Sequence, residues 1–182
     1  MTTKIDPFFQ PVSAMDLPRY AGVPTFMRLP NLTPEHPRYC DVQLGVVGVP
    51  WDGGTTNRPG ARHGQRQLRD YSTMIRAMNP VTGINPFASV NCADLGDVPP
   101  NPIDIHDSLD RVTRFYSNLK AQNITPMTAG GDHLVTLPIL RALAVDAPVV
   151  LIQFASHTYL FDTVFGCNTF THVTHSRHAF DR

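Results

Sequence analysis

The alternation of strand-like and helix-like segments is the feature that most constrains how this chain can fold. From Asp41 onward, short apolar runs rich in β-branched residues alternate with longer segments whose apolar residues recur at helical spacing. The predicted strands cover residues 42–49, 89–93, 126–128 and 149–154, and the predicted helices cover residues 65–76, 107–122 and 135–145. This order predicts an α/β domain with a parallel sheet and right-handed crossovers.

Individual residues of these elements carry more detailed predictions. We expect Asp107 to be the N-cap residue of the second helix, because its carboxylate can accept a hydrogen bond from a free backbone N–H of the first turn. Asp94 and Asp97 are predicted to be turn or cap residues, and the alternative is that they form an acid/base pair. The first predicted helix carries Leu68, Tyr71, Met74 and Ile75 at helical spacing.

Proline spacing and composition set the domain organisation and exclude several classes of function. Residues 1–38 contain seven prolines, which forbid a long helix and predict an extended N-terminal arm, and residues 39–182 form the predicted domain. A formal net charge of zero argues against binding to nucleic acid or to a membrane surface. No apolar run approaches the roughly 18 residues of a membrane span, and no signal pattern is seen, so we expect a cytoplasmic protein.

A run of small residues that ends in a histidine, residues 128–133, follows the third predicted strand. Ligand sites of α/β proteins lie at such strand ends. A second histidine, His157, follows the fourth predicted strand. Because loops at the carboxyl ends of parallel strands converge, His133 and His157 could share a metal ion through neutral imidazole nitrogens.

Other polar residues allow two interpretations each. Asp132 is predicted either to orient His133 as a hydrogen-bond partner or to stabilise the turn. The three histidines at a spacing of three in residues 172–178 could chelate a metal ion on one helix face, although a solvated segment is the favoured prediction. The glycine-rich stretch 53–56 is not a phosphate loop, because no lysine followed by serine or threonine stands at the required spacing. The glycine-rich stretch is instead predicted to form a turn between a strand and a helix.

Taken together, several motifs resemble those of the arginase/agmatinase (ureohydrolase) family, and most closely its agmatinase, guanidinobutyrase and guanidinopropionase branch. Their order along the chain is the order of that family. The motifs are PTFMRLP at 24–30, GVPWDGG through RHG at 48–64, DLGD at 94–97 and GGDHLVTLPI at 130–139, with THVT at 171–174 as a weak echo of the family's THGT. The resemblance implies a three-layer α-β-α arginase-like parallel sheet whose C-terminal part is missing here, and a pocket wall formed by the glycine-rich stretch.

The resemblance also implies an activity and a cofactor. Members of this family are binuclear manganese enzymes, usually homo-oligomers, that split a small guanidino substrate with water and release urea. Two bridged divalent ions supply the hydroxide nucleophile for this reaction. By position, His133 matches a ligand of one ion, His157 matches a ligand of the other ion, and His172 matches a histidine near the substrate.

Two positions depart from the family pattern. Ala155 and Tyr159 stand where the family has metal-binding aspartates, and a later aspartate pair lies in a segment outside this sequence. Each lost carboxylate removes an attraction of roughly 4 kcal/mol per unit charge at about 4 Å and an effective dielectric of about 20. We therefore expect impaired or absent hydrolysis, and a single zinc, nickel or copper ion on His133 and His157 in place of the manganese pair.

Two alternatives remain at this point. The first is a non-catalytic, truncated pseudoenzyme that acts as a subunit or interaction partner, for example of a full-length relative. The second is a partial or frame-disrupted gene product without a stable fold.

Overall fold

A computed structural model of the chain describes residues 6–180, which divide into two compact units. The sheet unit comprises residues 6–48, 66–96 and 122–129, and the helical unit comprises residues 49–65, 97–121 and 130–180. No helix in residues 6–180 has the length and apolar character needed to cross a membrane. Each unit has its own apolar cluster.

The sheet contains three strands in the order β2-β1-β3, where β1 is Leu44–Gly48, β2 is Cys92–Asp97 and β3 is Thr125–Ala129. Strands β1 and β3 run parallel, with Leu44 opposite Thr125 and Gly48 opposite Ala129. Strand β1, at the centre of the sheet, is buried from its second residue onward, as predicted for a strand covered on both faces. The parallel pairing confirms the predicted α/β architecture.

Side chains from the proline-rich segment complete the core of the sheet unit. Phe26 and Leu29, at the centre of the first family motif, are 4% and 2% exposed and cluster with Val46 of β1 and Cys92 of β2. Among the described residues of 1–38, the helical elements are two short 3-10 turns, Pro7–Phe9 and Phe26–Arg28, so no long helix forms, as the prolines predict. The motif therefore belongs to the hydrophobic core of the unit.

Helices dominate the helical unit, which contains α2 (Ile105–Ala121), α3 (Thr136–Leu143) and α4 (His175–Phe180), whereas α1 (Gly64–Ser72) begins there and continues into the sheet unit. Leu109, Leu134 and Leu137 form its central apolar cluster. The prediction of Asp107 as N-cap of α2 was wrong by about one turn. Asp104 accepts the hydrogen bond of the Asp107 backbone N–H (3.0 Å), and the Asp107 carboxylate pairs with Arg111 one turn further on.

Helix α1 is shorter than predicted. The helix ends at Ser72 and not at residue 76, and its apolar residues are exposed, with Leu68 at 51% and Tyr71 at 70%. Its buried residue is Gln65, whose side-chain amide donates a hydrogen bond to the Val49 carbonyl (2.8 Å). Helical spacing shows that residues share a face, but packing of the chain around the helix decides whether that face is buried.

The fourth predicted strand, residues 149–154, does not form. Val150 is 91% exposed and Phe154 is 97% exposed. Within the described part of the chain, no backbone group of this segment takes part in a backbone–backbone hydrogen bond. A β-branched run becomes a strand only when a neighbouring strand supplies hydrogen-bond partners, so β propensity without a partner edge gave the wrong result here.

Candidate metal and substrate site

The turn that follows β3 approaches a second loop of the helical unit very closely. Asp132 donates its backbone N–H to the Trp51 carbonyl (2.8 Å). A Cβ atom on Gly131 would lie 1.6 Å from that carbonyl oxygen, so only glycine allows this approach. From this turn the chain enters a 3-10 turn at His133–Val135 and then α3. The predicted turn between strand and helix is confirmed.

Asp132 connects the two loops through its carboxylate. Its Oδ1 accepts a hydrogen bond from the Leu134 N–H (2.9 Å) and its Oδ2 accepts one from the Gly54 N–H (2.7 Å). Burial raises the pKa of this carboxyl, while the two backbone N–H donors act in the opposite direction. Of the two interpretations of Asp132, the turn-stabilising role is confirmed.

The glycine-rich stretch serves both as a turn and as a cavity wall. Gly53 and Gly54 line a cavity of about 580 Å³ in the helical unit, together with Trp51 and Thr171. The Gly54 carbonyl accepts a hydrogen bond from the backbone N–H of His172 (2.9 Å) and lies 3.0 Å from the His172 Nδ1 atom. His172, predicted to lie near the substrate, is thus held beside this wall by its backbone and its ring.

Three aromatic and imidazole rings pack together behind the GGDH turn. The centroids of His133 and His175 are 4.1 Å apart, those of His133 and Tyr159 4.4 Å apart, and those of Tyr159 and His175 4.9 Å apart. His175 is completely buried, which contradicts the predicted solvated segment. A spacing of three cannot reveal this burial, because it would be the same on a solvated helix.

The two predicted metal histidines both contact Tyr159. The His157 ring lies 5.8 Å from the Tyr159 ring and is exposed. Among the ring contacts of residues 6–180, none joins His133 directly to His157. Tyr159 therefore occupies a position in contact with both imidazoles, at a place in the sequence where the family pattern has an aspartate.

The backbone of Tyr159 is strained. Its φ angle is +56°, in the left-handed region that asparagine and aspartate adopt much more readily than a bulky aromatic residue. The ring contacts with His133 and His175 offset this strain by burying part of the side chain. The local backbone conformation is thus better suited to an aspartate than to the tyrosine present.

Burial keeps the imidazoles of this cluster neutral near pH 7. It lowers the pKa of His175 to about 4, with further lowering by nearby His133. Burial also lowers the pKa of His133, and nearby His172 adds to that shift. Neutral imidazoles can act as metal ligands or as hydrogen-bond acceptors.

The residues present do not fit a pair of manganese ions. Ala155 is exposed and has no ligand atom, and both carboxylate oxygens of Asp132 accept hydrogen bonds from backbone N–H groups. In residues 6–180, no group of three or more histidine, cysteine, aspartate or glutamate side chains could hold a metal ion. Manganese binds weakly to nitrogen ligands and prefers carboxylates. Two imidazoles without carboxylates cannot hold two such ions.

Sequence reasoning missed the role of Asp94. It lies in β2 and not in a turn, and its side chain is completely buried. Arg69 binds it with two nitrogens, at 2.8 and 3.0 Å, and the Phe26 backbone N–H donates to it at 2.9 Å. No spacing rule joins the 24–30 motif, Arg69 and the DLGD motif, because these segments are distant in sequence.

Comparison with known proteins identifies relatives over most of the chain. The model of the Arginase family matches residues 42–182. The guanidinopropionase of Pseudomonas aeruginosa is 48% identical over 172 residues, which cover 94% of this chain and 53% of that protein. The mitochondrial guanidino acid hydrolase of Homo sapiens is 43% identical over 159 residues, which cover 86% of this chain and 44% of that protein.

A solved structure with the same fold is the proclavaminate amidino hydrolase from Streptomyces clavuligerus. It superimposes with a TM-score of 0.81 at 34% identity, over 90% of this chain and 53% of that chain. This likeness confirms the predicted arginase-like α/β fold. The chain spans about half the length of the relatives it matches. The family match and the 48% identity to guanidinopropionase confirm the resemblance found in the motifs, and the chain belongs to the arginase family.

Proposed function

We propose that this chain carries the scaffold of a guanidino-compound hydrolase in which manganese-dependent hydrolysis is impaired or absent. The scaffold side of the proposal is supported by the similarity to guanidinopropionase and to guanidino acid hydrolase. The loss of activity is supported by one observation above all. Tyr159 and Ala155 replace carboxylates, and the Tyr159 ring packs 4.4 Å from the His133 ring that would carry a ligand nitrogen.

The chemistry of guanidino hydrolysis explains why this observation matters. Water is too weak a nucleophile to attack a resonance-stabilised guanidinium carbon, and a pair of divalent ions would supply a stronger one by lowering the pKa of water bound to them. Holding two such ions requires negative charge close by. Each missing carboxylate withdraws roughly 4 kcal/mol of attraction at about 4 Å. Neither Ala155 nor Tyr159 supplies such a carboxylate.

A urea-release assay tests the proposal directly. The chain is incubated with manganese and, in separate reactions, with agmatine, guanidinobutyrate and guanidinopropionate. We expect no more urea than is produced by a His133→Ala variant under the same conditions. Urea release above that of His133→Ala with any of the three substrates would overturn the loss of activity and support a working enzyme.

A second candidate function is a non-catalytic subunit that associates with a longer member of the family. The observation that favours it is the exposed apolar segment 149–154, where Val150, Ile152 and Phe154 are 91%, 75% and 97% exposed. Gel filtration with mass determination, alone and with Pseudomonas aeruginosa guanidinopropionase, tests this candidate. A mixed complex that is lost on Phe154→Lys supports it, and separate elution of the two chains contradicts it.

A further inference from the structure

We propose that His133 and His175 form a binding site for one late transition-metal ion, Cu²⁺ or Ni²⁺, which differs from the predicted pair His133–His157. The proposal does not depend on hydrolysis of a guanidino compound. His175 has no counterpart among the ligand positions of the family motifs, and in the sequence it is one of three regularly spaced histidines. Its surroundings in the helical unit carry the argument.

The His175 ring is fixed in the orientation of a ligand. Its Nδ1 atom lies 3.0 Å from the His172 carbonyl, and because a carbonyl only accepts, Nδ1 carries the proton. A neutral ring with a protonated Nδ1 has its lone pair on Nε2. A backbone carbonyl that orients one ring nitrogen is the usual partner of a metal-binding histidine.

The Nε2 atom of His175 lacks a partner. The residue is completely buried, and this atom has no hydrogen bond among the described residues. Buried polar atoms are nearly always paired with protein, water or an ion, because an unpaired acceptor has lost its hydration without compensation. A bound cation would satisfy this lone pair.

The neighbouring imidazole lies at a suitable distance to share that cation. The His133 centroid is 4.1 Å from the His175 centroid and the ring planes are tilted by 35°. An ion about 2.0 Å from one nitrogen of each ring places the centroids about 4.4 Å apart at an N–metal–N angle of about 90°, and about 5 Å apart at a tetrahedral angle. The observed separation is closer to the right angle.

The preferred ion follows from this geometry. Right angles between nitrogen ligands are typical of tetragonal Cu²⁺ and Ni²⁺, whereas Zn²⁺ prefers tetrahedral sites, and Cu²⁺ has the highest affinity of the divalent first-row series. Because only two side chains contribute, water would complete the coordination. Tyr159 borders the site, with its ring 4.4 Å from His133 and 4.9 Å from His175.

Calorimetric titration of the purified chain with Cu²⁺ tests the site, with electron paramagnetic resonance as the second readout. We expect one ion per chain and hyperfine splitting from two nitrogens. His175→Leu should weaken binding by at least the roughly 10- to 100-fold that follows loss of a ligand's own hydrogen-bond partner. His178→Leu on the same short helix and His157→Leu should bind as the unchanged chain does.

Thermal melting separates loss of the site from loss of the fold. Cu²⁺ should raise the melting temperature of the unchanged chain and leave that of His175→Leu unchanged. If His175→Leu does not melt cooperatively, His133→Leu, whose ring is only half-buried, decides by the same two readouts. Undiminished Cu²⁺ binding in the deciding variant, no binding in the unchanged chain, or an equal loss in His157→Leu or His178→Leu would overturn the proposal.

Discussion

The GGDH turn at residues 130–133 and the segment 155–159 carry the two histidines that the sequence predicts as metal ligands, yet they differ in almost every physical respect. In the turn, Asp132 is buried and both of its carboxylate oxygens accept hydrogen bonds. In the segment, Ala155 and His157 are exposed, and Tyr159 has a strained backbone. The carboxylate in the turn is fixed by backbone donors, whereas the segment presents an exposed alanine, an exposed histidine and a tyrosine with a strained backbone.

Two other buried carboxylates resemble Asp132, because they also accept hydrogen bonds from backbone N–H groups. Asp94 in the sheet unit is buried with Arg69 and backbone donors around it. Asp52 in the helical unit is buried and accepts hydrogen bonds from the Gly60 and Arg62 backbone. These carboxylates act as structural connectors between loops.

The largest effect is expected for Gly131→Ala in the turn. The new Cβ would lie 1.6 Å from the Trp51 carbonyl oxygen, so the two loops must separate. We expect a loss of more than about 4 kcal/mol in the free energy of unfolding, or loss of the cooperative transition.

Gly64→Ala is the matched control for that substitution. Its Cβ would meet nothing within 4 Å and its φ of −60° suits any residue, so we expect a gain of about 0.5 kcal/mol. Urea denaturation measures both variants. Equal stabilities of the two variants would show that the turn is not the rigid contact described above.

Arg69→Met should have the next largest effect. It leaves the buried Asp94 carboxylate without its cation, and breaking a buried ion pair in this way costs about 3 kcal/mol or more. Arg114→Met is the control, because the Arg114 side chain is 71% exposed and its nearest carboxylate oxygen is 3.9 Å away. Chemical denaturation measures the free energy of unfolding of both variants. An equal, small loss in the two would show that the buried Asp94 carboxylate is not a structural connector.

Acid should weaken the helical unit through Asp52. The hydrogen bond from the Arg62 side chain holds the pKa of Asp52 at about 2, below its ordinary 3.8. Because the pKa of Asp52 is lower in the folded state, its carboxylate contributes fully to the free energy of unfolding above pH 3.8. This contribution is lost as the pH falls toward 2. The amount is about 2 kcal/mol before screening of the partly exposed Arg62.

The difference in stability between the unchanged chain and Asp52→Asn, measured from pH 6 to pH 2, isolates this contribution. It should be constant at higher pH and shrink below the ordinary pKa of the carboxyl. A difference that stays constant down to pH 2 would contradict the assignment of the shifted pKa to Asp52.

The smallest effect on stability is expected for Ala155→Asp in the segment 155–159. Ala155 is exposed, so the substitution should change the free energy of unfolding by less than about 0.5 kcal/mol. Thermal melting and chemical denaturation measure this. A loss above 1 kcal/mol would mean that the segment is packed as tightly as the turn, and the contrast between the two regions would disappear.

Much of the fold could be predicted from the sequence, because its motifs describe local backbone needs. The glycines of GGDH and the β-branched run of β1 indicated a strand, a turn and a helix in the right order. The predicted strand at 149–154 failed because pairing depends on a distant edge, and the exposure of the apolar side chains of α1 likewise depends on what packs around the helix. The buried state of His175 and its contact with His133 also depend on segments about 40 residues apart, which no local pattern reports.

The family, the α/β order and the absence of carboxylates at positions 155 and 159 follow from the amino-acid sequence, because they depend on which side chains are present and in what order. What those side chains contact follows only from the folded structure. It placed Asp94 against Arg69, set both oxygens of Asp132 on backbone donors and packed Tyr159 beside two imidazoles. Burial and hydrogen-bond satisfaction are properties of neighbours in space, and those neighbours are fixed only when the chain has folded.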